Sequence, residues 1–296
     1  MRQDTIIRAS AAGGQLRAFA ARTTGLSEEA RRIHGCTPVA AAALGRTLTG
    51  ALMMAADMKK DTNKVSLIIH GDGPLGNVVA VADGAGRVKG YVANPAVDVR
   101  LNDAGKLDVG WAVGRHGSIT VIKDLGLKAP YTGQTPLVSG EIGIDLARYF
   151  VESEQTPSAV ALGVLVAPEG HMLAAGGCII QPLPDTDEQI IGDLERRMQD
   201  LGSLSHRIHE GASPEDILGE VLAGSAPRYY EGPAPHFVCD CGRERLLSIL
   251  RSLDREELTA MIREDKGAEM VCHYCNKKYY FDEDELKTLL GSAGKG

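Results

Sequence analysis

From Thr5 to about Pro182 the chain alternates strand-like and helix-like segments. Ile6 to Arg22, interrupted by Gly13-Gly14, predicts a hairpin. Thr37 followed by Pro38 predicts an N-cap with proline at the first helical position, opening an Ala-rich helix to about Lys59. Val65–His70, Asn77–Ala82 and Arg87–Val92 predict short strands joined by Gly-rich turns, and Leu107–Val113 and Ser118–Lys123 continue that pattern. Ile142, Leu146 and Phe150 are spaced for one buried face of a helix over Glu141–Glu154. Val160–Val166 and Met172–Ile180 then predict a hairpin across Pro168-Glu169-Gly170.

The pattern changes after Gln181-Pro182-Leu183-Pro184. Asp187–Leu201 is amphipathic, with Ile190, Ile191, Leu194 and Met198 opposite Glu195, Arg196 and Arg197. Ser213-Pro214-Glu215-Asp216 reads as a capping signal for a second short helix through Leu222. Helices this short need a neighbour for their apolar stripes. Pro227, Pro233 and Pro235 mark Gly224–Pro235 as a hinge. The expected organisation is an α+β protein with a mixed-sheet core over residues 1–183, a helical linker over 184–235 and a small metal-binding module over 236–296.

That last module carries the chemistry. Cys239 and Cys241 stand in Val-Cys-Asp-Cys-Gly, and Cys272 and Cys275 in Val-Cys-His-Tyr-Cys-Asn. Two close pairs separated by a helix-rich stretch match the four-thiolate ligand set of a structural zinc site. Paired zinc ligands normally have two or more residues between them, so the tighter Cys-X-Cys spacing suggests a role beyond holding a fold. Cys275 leads through Asn-Lys-Lys into Tyr279-Tyr280-Phe281, a knuckle turn entering a strand, with Asp282 capping a final helix. Phe237, Tyr279, Tyr280, Phe281, Leu246 and Leu250 are the core candidates, few enough that a staple is required. His273 is expected beside the ligand set and not in it.

Composition narrows the function classes. Net charge is −7, and residues 228–296 hold 11 Lys plus Arg against 13 Asp plus Glu. That balance opposes a zinc-ribbon nucleic-acid regulator, the leading alternative, although Lys277-Lys278 forms a small basic patch. A thiol–disulfide oxidoreductase would carry its Cys-X-X-Cys at a helix start in a βαβ setting, and Cys272/Cys275 sits in a knuckle. Six cysteines in 296 residues are too sparse for a secreted disulfide scaffold. No apolar signal segment opens the chain, and the run Val39–Met58 is broken by Arg46, Thr47, Thr49 and Asp57. A cytoplasmic protein with no membrane span is expected. Gly71-Asp-Gly73-Pro-Leu-Gly76 satisfies a dinucleotide fingerprint, but a strand follows where a helix is required. Cys36 near His34 offers a candidate nucleophile, and Cys178 reads as core filler.

The Cys-X-Cys and Cys-X-X-Cys pairs, with Gly140-Glu141-Ile142 through Tyr149-Phe150 and Ser153-Glu154-Gln155-Thr156-Pro157-Ser158-Ala159, resemble the redox-regulated 33-kDa heat-shock chaperone family. The resemblance covers essentially the whole chain. It implies an ATP-independent holdase for unfolding proteins, with no substrate turnover, inactive when reduced and holding one zinc per chain through Cys239, Cys241, Cys272 and Cys275. It further implies that Cys272 and Cys275 oxidise first to a disulfide, then Cys239 and Cys241, with loss of zinc and unfolding of the linker. Oxidised members associate as dimers. Bridges within each pair close only tiny loops, so a long-range clamp is replaced by two local ones.

Overall fold

The computed structural model describes residues 2–292, and the chain divides into two compact units, Met1–Val238 and Cys239–Gly296. The first unit opens on the expected hairpin, β1 (Thr5–Ala11) and β2 (Leu16–Arg22), followed by helices α1 (Thr24–His34) and α2 (Pro38–Ala55). Next come β3 (Lys64–Gly71), β4 (Asn77–Asp83), β5 (Arg87–Val92), α3 (Val109–Val113), β6 (Gly117–Asp124), β7 (Tyr131–Pro136) and α4 (Ile142–Glu152). A second hairpin, β8 (Ala159–Val166) and β9 (Met172–Pro182), leads into α5 (Glu188–Asp200), α6 (Leu204–Glu210) and α7 (Pro214–Val221). Two short strands, β10 (Arg228–Glu231) and β11 (His236–Phe237), end the unit.

These strands form a five-stranded sheet, β10-β1-β2-β9-β8, and a six-stranded sheet, β11-β5-β4-β3-β6-β7. β11 pairs with β5 in parallel and the other pairings are antiparallel, so the architecture is α+β with a mixed sheet. Helix α2 packs against β2, β8 and β9 of the first sheet and β3, β4 and β5 of the second. It is buried throughout except at Pro38 and Arg46. Its Ala40–Ala43 run allows that close approach, and the Thr47 and Thr49 hydroxyls donate back to the Ala43 and Gly45 carbonyls at 2.8 and 2.7 Å. This helix has the length and composition of a membrane span, with 89% of it buried inside the protein.

Alternation along the first sheet gives it two apolar faces. Ile6, Phe19, Ala21 and Ile179 join the core around α2. Ile7, Ala9, Leu16, Ala18, Cys178 and Ile180 point the other way, against α5, α6 and α7. The helices contribute Leu194, Leu204, Ile208, Ile217, Leu218 and Val221 to that second cluster. A sheet covered on both sides needs near-continuous apolar strands, which is why β9 reads Leu-Ala-Ala-Gly-Gly-Cys-Ile-Ile. The Ser213 signal is a complete capping box: the Asp216 amide donates to Ser213 Oγ at 3.1 Å, and the Ser213 amide to Asp216 Oδ2 at 2.8 Å.

Several expectations are corrected. Residues 107–113 are not a strand; Leu107 makes one bridge to Leu101, and Val109–Val113 is a helix capped by Asp108. A short apolar run has no period that separates the two states. Helix α2 stops at Ala55, and the Thr37 hydroxyl donates to the Val97 carbonyl at 2.7 Å instead of capping. Helix α6 was not foreseen. The proline-rich stretch after Gly224 is laid against both sheets: β10 extends the first beside β1, and the Val238 amide donates to the Val88 carbonyl at 2.8 Å.

The second unit contains α8 (Arg243–Arg251), α9 (Arg255–Glu264), the hairpin β12 (Gly267–Val271) and β13 (Lys278–Asp282), and α10 (Glu283–Ser292). Leu246, Leu250, Leu258, Tyr279, Phe281, Leu286 and Leu289 form its core. Phe237 belongs instead to the first unit's core, and Tyr280 is 58% exposed. Strand period places Tyr279 and Phe281 inward and Tyr280 outward. Asp282 caps α10 as expected, accepting from the Glu285 amide at 2.9 Å while its own amide donates to Glu285 Oε2 at 3.0 Å.

Candidate metal centre

The β12–β13 hairpin builds one half of the site. With Val271 opposite Lys278, residues 272–277 must turn. The Cys275 and Asn276 amides both donate to the Cys272 carbonyl, at 3.3 and 2.8 Å, and the Cys272 amide to the Lys277 carbonyl at 3.0 Å. Asn276 closes the turn at φ 55°, a left-handed conformation that asparagine tolerates better than most residues. Cys239 and Cys241 supply the other half, just before Gly242 and the start of α8.

The four sulfurs converge, all within 4.8 Å of one another. Across the pairs, Cys239 Sγ is 3.6 Å from Cys272 Sγ and Cys241 Sγ is 3.3 Å from Cys275 Sγ. A tetrahedral ion with metal–sulfur bonds of about 2.3 Å would set its sulfurs about 3.8 Å apart. The group could therefore bind a metal ion, and four sulfur donors in this arrangement suit zinc. His273 is exposed and stands outside the set.

The thiols of this cluster are shifted in both directions. Burial pushes the Cys239 and Cys275 thiols up. Cys241 also feels burial, but hydrogen bonds from Tyr279 and the neighbouring thiols outweigh it and bring the group down to about 7. Tyr279 Oη lies 3.2 Å from Cys241 Sγ, and that bond first, then burial, takes the phenol up to about 12. Sequence reasoning saw Tyr279 only as core. The alternation of β13 behind the Cys-X-X-Cys turn is the signal that could have placed its ring beside a ligand.

The remaining chemical candidates lie elsewhere and do not assemble a site. Cys36 and Cys178 are 5% and 0% exposed, and burial takes both thiols up to about 12. His34 Nε2 donates to the Gly90 carbonyl at 2.9 Å, a structural bond. We expect the reduced, metal-free protein in native buffer to react rapidly with a chromogenic disulfide reagent at its four clustered thiols and to leave Cys36, in the core around α2, for denaturant; a fast Cys36 would contradict its burial. The Gly71–Gly76 turn serves packing. A Cβ on Gly71 would stand 1.9 Å from the Val113 carbonyl oxygen, and one on Gly73 2.4 Å from that of Ala112. Asp72 Oδ1 holds the Arg115 and His116 amides at 3.0 and 3.1 Å, leaving a tight strand connection and no phosphate cradle.

Comparison with known proteins agrees with the fold. Residues 4–282 match the family described as Hsp33 protein. The 33 kDa chaperonin of Alkaliphilus metalliredigens is 50% identical over 96% of this chain and 98% of its own length. That of Bacillus subtilis is 47% identical over 97% and 98%. The crystal structure of the 33 kDa chaperonin from Thermotoga maritima superposes with a TM-score of 0.89 at 37% identity, covering 99% of both chains. A match of this extent, over both units and through the cysteine cluster, places the chain in the Hsp33 chaperone family.

Proposed function

We propose that this chain is a redox-regulated, ATP-independent holdase that binds unfolding proteins during oxidative stress in a reducing cytoplasm, without substrate turnover. The observation that carries the reading is the convergence of four sulfurs in a small unit where seven of the described hydrophobic side chains form the buried cluster. In the reduced state Cys239, Cys241, Cys272 and Cys275 would hold one zinc, which supplies a cross-link between the two cysteine pairs. The packing of α9 and α10 on the β12–β13 hairpin, and of α8 on α10, then depends on sulfurs that an oxidant can reach, since three of the four cysteines are partly exposed.

Oxidation would join Cys272 to Cys275 and Cys239 to Cys241. Each bridge closes a loop of a few residues and restrains the chain weakly, whereas the lost clamp spans α8, α9 and β12. Residues 184–235 act as the responding segment. Helices α5, α6 and α7 have 13, 7 and 8 residues, lengths that are not stable alone, and they cover the apolar face formed by Leu16, Ala18, Cys178 and Ile180. Their departure would bare that face together with Leu194, Ile217 and Leu218 for capture of unfolded chains. Exposed apolar surface of this size also fits association of oxidised chains as dimers.

Aggregation of a thermally unfolding protein, followed by light scattering without ATP, tests the proposal. The oxidised, metal-free chain should suppress scattering at stoichiometric amounts and the reduced, zinc-loaded chain should not. Equal performance would remove the switch.

A further inference from the structure

Sulfurs of the cluster accept hydrogen bonds from outside the thiol set: the Cys241 amide donates to Cys239, the Lys277 amide to Cys275, and Tyr279 Oη reaches Cys241 at 3.2 Å. The first two are main-chain bonds fixed by the turns. The third is a side chain delivered by β13, whose alternation turns Tyr279 inward, opposite Met270, while Tyr280 faces solvent. Lys277 Nζ lies over the Tyr279 ring, 5.3 Å from its centroid. A thiolate has no proton to give, so in the metal-binding state the phenol donates and the sulfur accepts.

We propose that Tyr279 is a positioning residue for the redox step: its hydroxyl restrains Cys241 Sγ and leaves the Cys272/Cys275 pair as the first to react with a peroxide. The inference rests on the proposed redox switch. In that chemistry a thiolate attacks one peroxide oxygen, the O–O bond breaks and hydroxide leaves, giving a sulfenic acid. The second thiolate attacks that sulfur and displaces a second hydroxide. Two thiolates and one hydrogen peroxide thus yield one disulfide and two hydroxides. A metal-held sulfur is already deprotonated, so a hydrogen bond cannot raise its thiolate fraction and acts on nucleophilicity alone, which it lowers. Both sulfurs of the Cys239/Cys241 pair then carry a donor, one of them from a side chain that a single substitution removes.

The test uses the full chain, reduced and zinc-loaded, with Tyr279→Phe and, as control, Tyr280→Phe. Zinc release under limiting hydrogen peroxide is followed with a chromogenic chelator, and the order of cysteine oxidation by timed alkylation and mass mapping. Loss of one hydrogen bond predicts about three- to tenfold faster release in Y279F, with Cys241 oxidising alongside Cys272 and Cys275; Y280F should match the parent. In the cobalt(II)-loaded chain, the sulfur-to-metal charge-transfer band of Y279F should move to lower energy, because an unbonded sulfur gives up electrons more easily. Unchanged rate, order and band in Y279F overturn the proposal. So does a Y279F chain that fails to take up metal, since the hydroxyl would then be needed to assemble the site. If the parent chain itself holds no metal, it is the switch reading that falls.

Discussion

Chelating the metal from the fully reduced protein is expected to unfold residues 239–292 while the two sheets of the first unit stay folded. The physical basis is the size of the second unit's core. Leu246, Leu250, Leu258, Tyr279, Phe281, Leu286 and Leu289 are its buried hydrophobic cluster, shared by three helices and one hairpin. Domains this small rarely stand on burial alone. Structural zinc supplies about 10–16 kcal/mol of apparent binding energy in zinc-finger peptides, more than most domains have in total stability. Two of the seven, Tyr279 and Phe281, lie on β13, the strand that the Cys272–Cys275 turn positions, so slackening the turn loosens the core directly. Circular dichroism should report a loss of helix corresponding to α8, α9 and α10. Limited proteolysis should cut after Val238 and spare the sheets, and added zinc should restore the resistant form. A chelated, reduced chain whose second unit resists protease as before would show that the cysteines are not its staple.

Replacing Ile217 with alanine should release the helical segment without any oxidant. Ile217 is 0% exposed and packs, with Leu218 and Val221, on the face of β1 and β2 that carries Ala9, Leu16 and Ala18. Truncating a buried isoleucine costs about 2–5 kcal/mol. In a helix of eight residues that cannot persist alone, the cost is comparable with the whole local stability. The reduced, metal-loaded I217A chain should therefore suppress aggregation of an unfolding protein measurably, where the parent does not. It should also be cut by protease between residues 184 and 235. Glu195→Ala, on the exposed side of α5, should leave both readouts unchanged. An I217A chain as inert as the parent would mean that α5, α6 and α7 do not gate the apolar face.

The two outcomes separate the parts of the mechanism. Metal removal probes whether the sulfurs hold the second unit; I217A bypasses the sulfurs and probes what the helices cover. A chain that responds to the second and not to the first would retain client binding but lose redox control.

Much of the candidate site could be read from residue order. A metal needs particular donors at short range, and two pairs of cysteines flanking a helical stretch meet that requirement with few alternatives. The hairpins at Ile6–Arg22 and Val160–Ile180, the buried face of α4 and the Ser213 capping box were equally accessible, since each is a local pattern with its own period or cap. β10 was hidden for the opposite reason. All four of its residues are exposed, and it is held to β1 by main-chain hydrogen bonds, which any sequence can make. Helix α3 was misread because five residues of apolar chain are too short to display a period.

The sequence by itself determined the composition of the cysteine cluster, the strand alternation and the amphipathic stripes, because these depend on spacing within a few residues. Only the tertiary structure decided which partner each apolar face meets: α2 for Phe19 and Ile179, the α5–α7 layer for Ala18 and Cys178. Pattern marks a face as needing cover and carries no information about what covers it. The same limit applies to Tyr279 and Tyr280, adjacent and chemically identical. The phase of β13 after the cysteine turn set one against Cys241 and the other in solvent, because that phase depends on how the chain leaves a three-dimensional turn.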